Sequence, residues 1–186
     1  MKKWFIALIA LAICLLIGER LYREGIMLYT SKKNNEASFI ELKKAAEKGN
    51  RKAQYRLAHR YDKGHGIREN DALAFHWYMK AAKQGSGKAK YQVGKCYKNG
   101  EGVTKDLRLA FFWFSKAAQD DNAHGQYALG KCYMKGDGVA PNLNMARNWL
   151  RKAIQNPDGG AEVLAKIKND AALGDRDAQN ILRIIR

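Results

Sequence analysis

The chain has 186 residues, 46% of them hydrophobic and only 2 of them proline, which suits one folded domain with a real core and excludes a disordered polymer. Lysine and arginine number 34 against 18 acidic residues, a formal charge of +16. Such an excess favours anionic partners, whether nucleic acid, anionic lipid or an acidic protein, and location must choose among them.

The N-terminus bears on location. Lys2 and Lys3 precede "WFIALIALAICLLI", Trp4 to Ile17, and no charge follows until Glu19. A positive start and an apolar stretch make the layout of an export signal. A spanning helix needs ~20 apolar residues, so this shorter run spans only if it tilts or its flanks snorkel. The small-x-small triplet Ala10-Leu11-Ala12 lies inside the apolar run, and Ile13 is too bulky for a lipoprotein box before Cys14. Residues 1–22 are therefore expected to be an uncleaved signal-anchor in a bacterial inner membrane, with the rest of the chain in the periplasm. Cleavage and release into the periplasm is the alternative. Arg20, Arg23, Lys32 and Lys33 on the far side weaken the positive-inside asymmetry.

Residues 23–37 read as a linker or juxtamembrane helix. "FIELKKAAEKGN" follows, and residues 38–50 read as a capping half-unit ending in Lys44-Ala45-Ala46. Three stretches then align at a fixed offset of 36 residues: "AQYRLAHRYDKGHGI" from Ala53, "AKYQVGKCYKNGEGV" from Ala89 and "GQYALGKCYMKGDGV" from Gly125. Tyr61, Tyr97 and Tyr133 form one column, and the Gly-x-Gly pairs at 64/66, 100/102 and 136/138 form others. Downstream, Ala74, Ala110 and Ala146 align, followed by Trp77, Trp113 and Trp149 and by the Lys-Ala pairs at 80, 116 and 152. A period of this length predicts stacked helix pairs.

Each unit follows from side-chain physics. Ala53, Leu57, Ala58 and Tyr61 make one stripe of a first helix. Gly64-x-Gly66 breaks it, and Asn70, like Asp106 and Asn142, is a strong cap for the helix that follows. Ala74, Trp77, Tyr78 and Ala81 give the second helix its stripe. Small alanines let the helices approach, and each tryptophan is expected to fill the space between them, with Trp113 enclosed on both sides. The glycine-rich loops lack the Gly-Lys-Ser/Thr ending of a phosphate loop and read as turns. Full units are expected at about 51–86, 87–122 and 123–158. Residues 159–186 read as a C-terminal cap of two helices.

The run A-x-x-x-L-G-x-x-Y-x-x-G-x-G-V, an acidic or amide cap, then A-x-x-W-x-x-K-A-A resembles the Sel-1-like repeat over Ala53 to Ala153. Departures are mild: Ala58 stands where Gly94 and Gly130 align, Gly125 replaces an alanine, and Ile154 replaces the second alanine. The resemblance implies an all-α fold related to tetratricopeptide repeats, a right-handed superhelical solenoid of antiparallel helix pairs. It implies that first helices line the concave face and that the chain binds proteins rather than catalysing.

The residues agree in offering little chemistry. His59, His65, His76 and His124 never pair at metal-ligand spacing, and no nucleophile–base set stands out. No cofactor, metal or small-molecule substrate is expected. Cys96 and Cys132 are equivalent positions on neighbouring helices ~8–10 Å apart, beyond the ~7 Å reach of a disulfide. What remains is the face of the first helices: Lys52, Tyr55, Arg56 and His59; Lys88, Tyr91, Gln92 and Lys95; His124, Tyr127 and Lys131. Tyrosine anchors a partner well and a basic rim steers acidic surfaces, although tyrosines that merely pack and lysines that solubilise would give the same pattern. The expected partner is an acidic protein. By resemblance to envelope immunity proteins of this repeat class, it is a secreted toxic effector such as a phospholipase. An adaptor in an envelope complex and a nucleic-acid or anionic-surface binder facing the cytoplasm are the alternatives.

Overall fold

A computed structural model describes residues 20, 23, 24 and 36–186. The apolar run expected to anchor the chain, Cys14 and most of the expected linker lie outside the described residues. Among the described residues no helix is long and apolar enough to cross a membrane. Two compact units divide the chain, Met1–Leu42 and Lys43–Arg186. In the first, Arg20 Nε donates to Glu24 Oε1 at 3.2 Å.

Residues 36–47 are helical (α1). Seven 13-residue helices follow: α2 Arg51–Lys63, α3 Asp71–Lys83, α4 Gly87–Asn99, α5 Leu107–Gln119, α6 Ala123–Lys135, α7 Leu143–Gln155 and α8 Gly160–Ala172. The shorter α9, Arg176–Ile185, ends the chain. The ends of these helices are written in the sequence. Asn70, Asp106 and Asn142 accept from the backbone N–H three residues on, as caps should. A second cap column was not read from the sequence: Asn50, Ser86 and Asn122 do the same for the first helices. Each turn is closed by a backbone clasp from the cap N–H to a tyrosine carbonyl, Asp106 to Tyr97 and Asn142 to Tyr133, both at 2.8 Å.

α2, α4 and α6 each pack on the second helix of their own unit, and α4 and α6 pack also on that of the unit before. First helices α4 and α6 also meet directly, so they form an inner row while α3, α5 and α7 lie outside. The tyrosine column ties neighbours together, for the ring of Tyr97 meets Phe75 edge-on and Tyr133 meets Phe111 likewise, centroids 5.4 Å apart in both.

The tryptophans are not the centre of this core, contrary to expectation. Trp77 is buried but Trp113 and Trp149 are only half-buried; the fully enclosed column is the next residue, Tyr78, Phe114 and Leu150. A helix turns 100° per residue, and that step aims the side chain at the first helix of its own unit. There a Cβ on Gly94 would stand 2.5 Å from the ring of Phe114, and one on Gly130 would stand 2.7 Å from Leu150. The glycine column thus makes room for the large side chain, and the tryptophan is displaced to the flank. In the first unit Ala58 stands in that column, and the Tyr78 hydroxyl reaches Asp62 at 3.3 Å.

A polar column accompanies the apolar one. Gln84 donates to Gln54 at 2.6 Å, Lys90 to Asp120 at 2.6 Å and Asn156 to Gln126 at 3.1 Å, each pair 30 residues apart. Gln126 is fully buried and also donates to Asp121 at 3.1 Å. Each pair closes one unit on itself, and the middle unit does so with an ion pair instead of two amides.

Candidate functional site

The inner row carries the tyrosine ladder, and the fold divides it in two. Tyr55, Tyr91 and His124 line one open cavity of about 350 Å³ together with Lys88, Gln92 and Lys95. Asn122 and Lys166 complete the lining. At its centre Tyr91 stacks on His124, centroids 5.6 Å apart, and leans on Phe114 at 5.9 Å. Tyr55 is tilted against Tyr78 at 5.6 Å. Burial pushes the Tyr91 phenol above its ordinary value, so it stays protonated at neutral pH and presents a donor to an acceptor in the groove.

The rest of the face is placed differently. Lys52 and Arg56 stand exposed on α2 outside the cavity, and His59 lies beside His65 with centroids 5.7 Å apart. Tyr127 instead packs against the C-terminal core of Val163, Ile167 and Ile181, and burial, with Asp170 and Asp175 nearby, raises its phenol to about 12. Lys131 lies 3.7 Å from Asp177 of α9, and Lys135 binds the same carboxylate. The cap helices therefore occupy the third rung. Lys52, Arg56, Lys88 and Lys95 have no ion pair among the described residues, so the uncompensated cations belong to the first two rungs.

Lys166 was missed because it lies on α8, in the C-terminal cap beyond the three aligned units. α8 starts at Gly160 and α6 at Ala123, 37 residues apart (160 − 123), not 36. Lys166 itself pairs with Asp170 at 2.7 Å, and Glu162 approaches His124 at 3.8 Å, so these two lining residues, unlike Lys88 and Lys95, meet carboxylates of α8.

Asp177 makes a local test of the cap. The hydrogen bond from Lys135 holds its carboxyl below the ordinary range, and Lys131 adds to the effect. A depressed carboxylate contributes stability above its unfolded value of about 3.9 and loses it as pH falls through the folded value. Amides of α9 should lose hydrogen-exchange protection below about pH 4, ahead of those of α4. Asp177→Asn should remove that step, and an α9 that opens only together with α4 would show that the contact does not hold it.

Burial sets the state of the two described thiols. Burial raises Cys96 to about 12, with Glu101 adding, and Cys132 to about 11, with Asp137 adding. Both are buried free thiols, protonated at neutral pH. Among the described residues no group of three or more His, Cys, Asp or Glu side chains is placed to hold a metal ion.

The chain matches the Sel1 repeat over residues 6–50, 51–86, 87–122 and 123–158. The chain belongs to the Sel1 repeat family. Its first match takes in most of the apolar run and all of α1, while α8 and α9 fall outside all four. Sel1 repeat proteins are protein–protein interaction modules. Solved structures similar to this one include a Sel1 repeat protein from Oxalobacter formigenes, 34% identical with a TM-score of 0.58, over 78% of this chain and 97% of that one. A protective antigen of uropathogenic Escherichia coli strains with an SLR fold is 32% identical, TM-score 0.62, over 77% of this chain but 32% of its own. Helicobacter pylori cysteine rich protein B is 26% identical, TM-score 0.54, over 71% and 96%. No curated protein matches the sequence.

Proposed function

We propose that this Sel1 repeat protein is a non-enzymatic binding module of the bacterial envelope that grips an acidic partner protein in the groove of α2, α4 and α6. The observation that carries the reading is the centre of that groove. A half-buried, protonated Tyr91 on His124 is flanked by Lys88 and Lys95, which no acidic side chain among the described residues neutralises. An aromatic anchor that can be desolvated supplies residence time, and unpaired cations speed the encounter with negative charge. The apolar run before residue 18 supports anchoring in the inner membrane with the repeats outside the cytoplasm. In that compartment, neutralising a secreted toxic effector fits a small basic inhibitor.

Capture from the native cell with tagged full-length chain tests this. Tyr91→Ala should raise the dissociation rate of the captured partner and weaken binding by ~2 kcal/mol. Lys88→Glu and Lys95→Glu should slow association and flatten its dependence on salt, while Lys83→Glu and Lys116→Glu on the outer row should change little. Unaltered capture by the groove variants, with melting temperatures at parent values, would sink the concave-face reading. Alkaline phosphatase fused after Arg186 should be active if the repeats lie outside the cytoplasm.

A further inference from the structure

The outer row has a chemistry of its own that the groove does not use. Leu109, Phe112 and Lys116 stand at i, i+3 and i+7, one stripe of α5, and Leu73, His76 and Lys80 repeat that stripe on α3. Leu73, Leu109 and Phe112 are 39, 40 and 48% exposed, unlike the enclosed residues that follow the tryptophans. The cations of this face lie over its rings: Lys80 Nζ is 4.5 Å from the centre of Trp77, and Lys116 Nζ is 5.6 Å from that of Phe112. Lys83 and Arg108 extend the positive charge. α5 contains no acidic residue, and α3 has only Asp71 in its first position.

We propose that this outer face of α3 and α5 docks on the surface of an anionic lipid bilayer. The pairing of residue types decides the occupant. Aliphatic and aromatic side chains reach the acyl boundary while long cationic stems keep their heads among the phosphates, and two helices with a single carboxylate, Asp71 in the first position of α3, meet an anionic leaflet with little repulsion. The groove lies on the other row of helices and stays open to its partner while the outer face rests on lipid.

The test uses the full-length chain with Cys14→Ser, so that a single added cysteine carries an environment-sensitive fluorophore; Cys96 and Cys132 are buried. Ala72→Cys places the dye beside Leu73 on the outer face, and Lys52→Cys places it on the inner row. Vesicles of phosphatidylcholine with phosphatidylglycerol should shift the emission at residue 72 to the blue and leave residue 52 unchanged. Vesicles of phosphatidylcholine alone should give neither shift. Lys116→Glu should weaken the response at least about fivefold in lipid concentration, and Phe112→Ser should weaken it about tenfold. Both sites are exposed, so the variants should melt with the parent. An equal shift in neutral vesicles, an equal shift at residue 52, or a concentration-dependent shift without lipid, the mark of a second copy on this face, would each overturn the proposal. Because the readout is local, insertion of the N-terminal apolar run does not mimic it. Loss of groove binding leaves it intact.

Discussion

Gly138→Ala is expected to lower the unfolding midpoint by roughly 10 °C, and Gly102→Ala, whose added carbon would stand 2.1 Å from the Asp71 carbonyl oxygen, by as much. Two effects act at once. Gly138 has φ +75°, in the left-handed region, and a Cβ there would stand 2.1 Å from the carbonyl oxygen of Leu107, at the start of the preceding second helix. That obstacle is backbone, so no side-chain rotation relieves it. Strain of about 1–3 kcal/mol and overpacking of about 1–3 kcal/mol together give about 4 kcal/mol, or roughly 10 °C for a chain of this size. Gly49→Ala supplies the comparison, since Gly49 has φ +90° with nothing within 4 Å of the added carbon. It should lose only the conformational part, ~1–2 kcal/mol. Equal midpoints for the two variants would show that the close approach contributes nothing.

Phe114→Ala should cost ~3–5 kcal/mol, the range for an emptied aromatic site in a core. Trp113→Ala, half-buried on the flank, should cost about half of that or less. The order is the reverse of what the tryptophan column suggests, and denaturant titration of both variants decides it. A further comparison isolates the contact. Gly94→Ala in the parent should destabilise, because the new methyl meets the Phe114 ring at 2.5 Å. In the Phe114→Ala background the ring is gone, and the same change should stabilise by about 1 kcal/mol through helix propensity. A cost of the same sign in both backgrounds would mean that the glycine answers to something other than Phe114.

The local features were legible in the sequence because they depend on neighbours along the chain. The 36-residue period, the Gly-x-Gly turns and the caps at Asn70, Asp106 and Asn142 all rest on interactions within one helix or one turn, so the residue types announce them. The family follows from the same columns. The tertiary structure decided what depends on direction across space. Trp113 and Phe114 are adjacent and both large and aromatic, and only the position of Gly94 on the facing helix tells which one is enclosed. Tyr91 and Tyr127 occupy one column, yet one faces an open groove and the other is covered by α8 and α9. Lys166 at the groove and Asp177 on Lys131 and Lys135 belong to the C-terminal cap, whose helices do not repeat the columns of the three units. Periodicity carries the interior of a solenoid, where every unit meets the same neighbours. At its ends the neighbours change, and there only the packed structure says which face stays free for a partner.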